Sequence, residues 1–186
     1  MSDGAGIRIA FPGGEVRDYR TEDAPSLAAH ANDRRIWINL RDAFPHPYAL
    51  HHAEAFIAHA LGMQPRQHFA IAVEGKAVGG IGFTMHPDVE RASVEIGYWL
   101  GVAFWGRGIT TGALRALTAH VFAALPEATR IYAVPFAWNP ASARVLEKSG
   151  YHLEGRLRQS VIKDGQVTDQ LQYAIGRGDL TNTERV

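Results

Sequence analysis

The sequence predicts an α+β protein, a mixed and mostly antiparallel sheet with helices on both faces. Two strand pairs carry this prediction, each joined by a dipeptide that favours a tight hairpin turn: His68–Val73 and Lys76–Met85 flank Glu74-Gly75, and residues 157–163 and 166–175 flank Asp164-Gly165. The third observation is that helical segments are interspersed among these paired strands, which argues against a doubly wound sheet.

The elements follow in order. Residues 7–11 alternate apolar and polar, Pro12-Gly13-Gly14 breaks the run, and residues 15–20 resume as a second short strand. Thr21 is placed to cap a helix bearing Ala24, Leu27, Ala28 and Ala31 at helical spacing. A second helix is expected over about 50–61. In the strand at 92–100, Val94, Ile96, Tyr98 and Leu100 share one face, which leaves Ser93, Glu95, Gly97 and Trp99 on the other. After a glycine-broken connection, residues 109–125 carry Leu114, Leu117, Val121 and Phe122 three and four apart, as a helix requires. Residues 130–136 read as a strand. A short helix follows with both ends signed: Asn139 as N-cap, Pro140 at the first helical position and Gly150 to close it in the left-handed region.

Composition narrows the function. A chain of 186 residues fits one domain that buries roughly 70% of its unfolded surface. We expect that domain over 7–176, with 1–6 and 177–186 as flexible tails. No cysteine is present, which excludes disulfides, thiolate metal sites and a cysteine nucleophile. Nineteen basic residues balance nineteen acidic ones, so no excess of positive charge is available to hold a nucleic-acid backbone. The start of the chain lacks a signal-peptide pattern and no apolar run approaches a membrane span. The expectation is a soluble, untargeted protein, with no membrane partner, for which a cytoplasmic setting is permitted. His46, His51, His52 and His59 invite a metal, but His52 and His59 lie two turns apart, adjacent His51 and His52 diverge, and no carboxylate completes a set, so no metal is expected.

The most informative stretch runs from Glu95 to Thr111. Its strand passes through Leu100-Gly101-Val102 into Trp105-Gly106-Arg107-Gly108-Ile109-Thr110-Thr111 and then a helix. Glycines let the backbone approach a ligand, and the unsatisfied N–H groups at a helix start favour a phosphate. Spacing alone supports an ordinary glycine-rich turn equally well. A dinucleotide fingerprint would need an acidic residue closing the next strand, where Val134-Pro135-Phe136 stands, and a nucleoside-triphosphate loop would need Gly-Lys followed by Ser or Thr.

Further segments stand in a telling order: residues 17–24 (RDYRTEDA), Val78-Gly79-Gly80-Ile81-Gly82, residues 95–100 (EIGYWL), the loop 105–111, and Asn139-Pro140-Ala141-Ser142 through Leu146-Glu147-Lys148-Ser149-Gly150-Tyr151. With them the chain resembles the GNAT acyl-CoA N-acyltransferase superfamily, in particular its branch that acetylates protein N-termini, including those of ribosomal proteins. The resemblance implies a GNAT-like fold in which the strand ending at Leu100, Gly101 and Val102 splays from the strand ending near Phe136, and the pantetheine arm of acetyl-CoA lies in the gap. It implies that the N–H groups of Arg107, Gly108, Ile109, Thr110 and Thr111 hold the pyrophosphate, that Asn139 meets the pantetheine amide, and that Ser142 and Lys148 belong to the cofactor side. Two departures stand out: Thr110 replaces a smaller residue, and Leu146 stands where many relatives carry a tyrosine that protonates the departing thiolate. Ser142, matching the serine of this branch, then becomes the candidate donor.

An amine attacks a thioester only when neutral, and amines with pKa near 8 or 10 are largely protonated at pH 7, so a proton acceptor is needed. Glu95 is the candidate base, through a water; its alternative is a structural hydrogen-bonded pair. For Ser142 the alternative is satisfying an end N–H of its own helix. Strand N–H donors near Leu100 would polarise the thioester carbonyl. Trp37, Asn39 and Tyr48, together with Trp99, Phe136 and Trp138, are candidates to wall the site of the amine acceptor, a peptide N-terminus or small molecule; for each aromatic, core packing is the commoner role. A catalytically quiet acyl-CoA-binding module is the rival function, and since related proteins are often dimers a homodimer belongs among the expectations.

Overall fold

A computed structural model describes residues 6–180; the outer parts of both expected tails, residues 1–5 and 181–186, lie outside the described residues. One eight-stranded sheet runs β1 (Arg8–Phe11), β2 (Gly14–Arg17), β3 (His68–Val73), β4 (Lys76–Met85), β5 (Ser93–Leu100), β6 (Arg130–Ala133), β8 (Gln166–Gly176) and β7 (His152–Lys163) in spatial order. Neighbours are antiparallel except β5 and β6, the one parallel pair among the described strands. At the β7–β8 hairpin, Asp164 and Gly165 take φ of 51° and 73°, the conformation for which the dipeptide was singled out.

Helices cover both faces because each presents one apolar stripe. On one face, α4 (Ile109–Ala124) buries Ile109, Ala113, Leu114, Leu117 and Val121 against the sheet, with α5 (Pro140–Lys148) beside it. On the other, α1 (Ala24–Ala31) and α3 (Leu50–Gly62) pack Leu27, Ala31, Ala53 and Ile57 with Tyr19, Tyr48 and Ala70.

Several boundaries differ from the sequence reading. Thr21 does not cap α1; residues Thr21–Asp23 form a 3₁₀ turn in which the Asp23 carboxylate accepts the Arg20 N–H at 2.8 Å. Strand β2 stops at Arg17, since Asp18 to Arg20 lead into that turn. Strand β6 stops at Ala133, and Phe136 keeps only an isolated bridge to Gln170, because Pro135 has no N–H to continue a ladder. Strand β7 starts at His152, five residues earlier than expected. A four-residue helix, α2 (Arg34–Trp37), was not foreseen, although Asp33 caps it by accepting the Arg35 N–H at 2.8 Å. Residues 177–180, read as tail, form a 3₁₀ turn, and Arg177 reaches back to the carbonyls of Phe122, Leu125 and Ala128.

The charged segment 17–24 is held by a buried ion pair. Arg17 and Asp23 meet through two bonds of 2.7 and 2.8 Å, and a further Arg17 nitrogen contact reaches the Gly75 carbonyl at 3.0 Å. Breaking one side of a buried pair leaves an uncompensated charge. Asp23→Ala is therefore expected to lower stability by about 3–5 kcal/mol in urea unfolding, whereas Arg17→Met with Asp23→Leu loses much less. Equal losses in the two variants would show that the pair itself contributes nothing particular.

Candidate active site

The site begins where two parallel strands part. β5 and β6 pair only at Ser93 with Arg130, Val94 with Ile131 and Glu95 with Tyr132. Beyond Glu95, β5 keeps its ladder to β4 as far as Leu100, and Ala133 keeps only its pairing with Tyr173 of β8. Strand groups point alternately left and right. Since the Gly101 N–H donates to the Val78 carbonyl at 2.8 Å on the β4 side, the backbone groups of Ile96, Tyr98 and Leu100 point toward the gap.

At the far end of β5 the chain turns through Gly101 and the 3₁₀ segment Val102–Phe104 into the glycine loop. Trp105 ties this loop to its strand, its indole N–H donating to the Leu100 carbonyl at 2.7 Å. Gly106 and Gly108 take φ of 75° and 77°, so both need glycine. Gly108 caps α4 without a side chain, and the first turn, with Ile109, Thr110 and Thr111, holds no acidic residue. The cradle therefore combines free first-turn N–H groups, the positive end of a sixteen-residue helix and the Arg107 guanidinium, which rests 5.4 Å from the Phe104 ring centre. The chemistry of this donor set suits an anionic group.

Across the gap, Asn139 caps α5 by accepting the Ser142 N–H at 3.1 Å. The Ser142 hydroxyl is thereby released from capping, and it lies 2.9 Å from the Tyr98 hydroxyl. Leu146 is fully buried and brings no phenol; Tyr98 brings one from β5 instead. Burial holds the Tyr98 phenol well above its ordinary pKa, against a smaller opposing effect of its bond to Ser142, so it stays protonated. Lys148 stands exposed at the opposite end of α5, where Arg115 of α4 donates to its carbonyl.

Glu95 lies on the other face of β5. Its carboxylate is about one-fifth exposed and meets Arg41, from the loop between α2 and α3, at 2.5 Å. Tyr132, its partner on β6, bonds His86 Nε2 at 2.8 Å and lies under the Arg130 guanidinium, 4.8 Å from its ring centre. Burial raises the Tyr132 pKa, and the Glu95 charge adds to the effect. Gly97 is exposed between Glu95 and Trp99, with no atom within 4 Å of where a Cβ would sit.

The expected acceptor residues divide. Asn39 and Trp138 line a cleft of about 350 Å³ with Arg34, Ile38, Asp164 and Gln166, between α2 and the β7–β8 tip. Trp37 stacks on His46 and lies under the Lys163 ammonium, 3.8 Å from its ring centre. Tyr48 and Phe136 are buried, and Trp99 packs edge-on against Phe44 at 5.6 Å, which are packing roles. Sequence reasoning missed Arg41, Tyr132 and His86, which come together only in three dimensions. It also gave Tyr98 no role beyond its apolar face, although a tyrosine at that position signals a polar atom in need of a partner.

Parted central strands, an acid-free helix start at one end and a carboxylate beside the gap are thus brought to one opening in the sheet. Residues 15–152 match the family described as "Acetyltransferase (GNAT) domain", and the chain belongs to that family. Among curated relatives, the ribosomal-protein-serine acetyltransferase of Escherichia coli (strain K12) is 34% identical over 106 residues, 57% of this chain and 58% of that protein. The chain thus spans a little over half the length of the curated relatives it matches. The fold is shared with RimL, the ribosomal L7/L12 α-N-protein acetyltransferase in complex with coenzyme A, at a TM-score of 0.80 and 22% identity over 91% of this chain and 98% of that one. It is also shared with RimJ of Mycobacterium smegmatis in complex with a coenzyme A disulfide, at 0.79 and 24% over 94% and 88%.

The Tyr98–Ser142 contact gives a direct check. Tyr98→Phe and Ser142→Ala should each lower stability by about 1 kcal/mol, and the double variant by little more than either. Strict additivity in a urea double-mutant cycle would show that the two hydroxyls share no bond.

Proposed function

We propose that this domain transfers an acetyl group from acetyl-CoA to a primary amine, by direct attack within a ternary complex. The observation that carries the reading is the gap between β5 and β6, with Glu95 on one face and the Tyr98–Ser142 pair reached from the other. Acetyl-CoA supplies the activated acetyl thioester, and its thiol is the leaving group.

The chain's residues divide the remaining tasks. The N–H groups of Arg107, Gly108, Ile109, Thr110 and Thr111 hold the diphosphate, with Arg107 adding charge. The gap-facing backbone of Leu100, continued by Gly101 and Val102, and the end of α5 at Asn139 orient the arm, with Lys148 an exposed cation on the same helix. The gap-facing N–H of Leu100 is aimed at charge developing on the acyl oxygen. Glu95 takes the proton of the arriving ammonium at its carboxylate, through a water. Ser142 gives the Oγ proton to the departing sulfur and takes in its place the second proton that the attacking nitrogen loses as the amide forms, while the protonated Tyr98 hydroxyl bonds Ser142 and holds it in place.

The acceptor is an α-amine of a protein or a small-molecule amine. What supports a protein N-terminus is the E. coli relative, a ribosomal-protein-serine acetyltransferase, together with the fold shared with RimL and RimJ. A cytoplasmic setting agrees with such an acceptor and with the finding that no described helix is long and apolar enough to cross a membrane.

Glu95→Gln is expected to lower kcat by about 10²-fold or more, with little change in acetyl-CoA affinity measured by calorimetry. Free-thiol release on mixing protein, acetyl-CoA and amines reads the rate. An unaltered pH–rate profile in this variant rejects Glu95 as the base, and binding without amine-stimulated thiol release leaves a binding module in place of an enzyme.

A further inference from the structure

The cations around the face that carries Glu95 are mostly paired with carboxylates outside the proposed chemistry. Arg34 meets Asp164 at 2.7 Å, Lys163 meets Asp42 at 2.8 Å, and Arg130 meets Glu154. Arg41 differs, because its partner is Glu95 itself. Its backbone is held from the next residue: Asp42 receives the ammonium of Lys163, a side chain only 1% exposed that also lies over the Trp37 ring. The β7–β8 tip thus contacts the loop, while the Arg41 side chain stays 71% exposed.

We infer that Arg41 selects acceptors that carry a carboxylate close to the amine they present. The inference rests on Glu95 being the proton acceptor of an amine acetylation. Glu95 and Arg41 together are neutral, and the acceptor arrives as an ammonium, so two cations then share one carboxylate. A carboxylate on the acceptor removes the surplus by taking the guanidinium's paired donors. A second cation on the acceptor deepens the surplus and is rejected by like-charge repulsion. Space for the amine exists without expelling Arg41, since Gly97 leaves the strand bare beside Glu95. The sequence alone gave no preference among amines; the Arg41–Glu95 contact does.

The test compares C-terminally amidated peptides Ser-Asp-Ala-Ala and Ser-Lys-Ala-Ala, with a parallel arm of free serine against serinamide. The two arms separate a carboxylate on the following residue from one on the amine's own carbon skeleton. In the unaltered protein, kcat/KM should favour the carboxylate-bearing member of at least one arm by about tenfold. Arg41→Gln should bring that ratio close to one and Arg41→Glu should invert it; the preference of the unaltered protein should also shrink in about 0.5 M salt, because Arg41 is exposed. Being a ratio, this readout is insensitive to any general loss of rate in the variants. No preference in either arm, a preference for the lysine peptide, or a ratio unmoved by Arg41→Glu overturns the inference while leaving acetyl transfer standing. Turnover of no amine at all, alongside measurable acetyl-CoA binding, overturns both.

Discussion

Three pairs of residues decide what this sheet can do. Were the parallel ladder between β5 and β6 to continue past Glu95 and Tyr132, every backbone group in the middle of the sheet would be spent on its neighbour. Because it stops there, β5 presents alternate amides to an open slot. Beyond that point the two strands follow their outer neighbours: β5 stays on β4 as far as Leu100, while the chain after Ala133 stays with β8, the Leu171 N–H donating to the Pro135 carbonyl at 2.9 Å. The Gly101–Gly108 loop, the bare start of α4 and the capped start of α5 are then arranged around an opening that the ladder's end creates.

The slot passes from one face of the sheet to the other, which separates opposite chemical demands. On the α4–α5 side, Tyr98 is partly buried, and loss of solvent around its phenol keeps it protonated. On the other, Glu95 retains partial access to water and meets the Arg41 guanidinium. Strand alternation achieves the separation with residues only three apart in β5.

Much of this was legible in the sequence because it depends on local rules. Asp164-Gly165, Glu74-Gly75 and the signed ends of α5 act through the backbone of a few neighbouring residues, and the alternation in β5 put Glu95 and Tyr98 on opposite faces. What escaped depends on partners distant in the chain. Arg41 is 54 residues from Glu95, and Tyr98 is 44 from Ser142. Nothing in the pattern around Lys163 shows that a lysine at a hairpin tip would be fully buried, since its burial is made by Asp42 and Trp37. The early end of β6 was carried in plain view by Pro135, whose missing donor outweighs the apolar run around it.

The bare patch of β5 at Gly97 has an evolutionary implication. Most positions near a reaction centre are hemmed in, so altering them disturbs the machinery; here the nearest atoms stand more than 4 Å from any added methyl group. Size discrimination could be installed at this one codon, as a sieve that narrows the entrance without repacking the interior. A lineage of such domains can thereby diverge in what it admits at this face while its fold stays fixed.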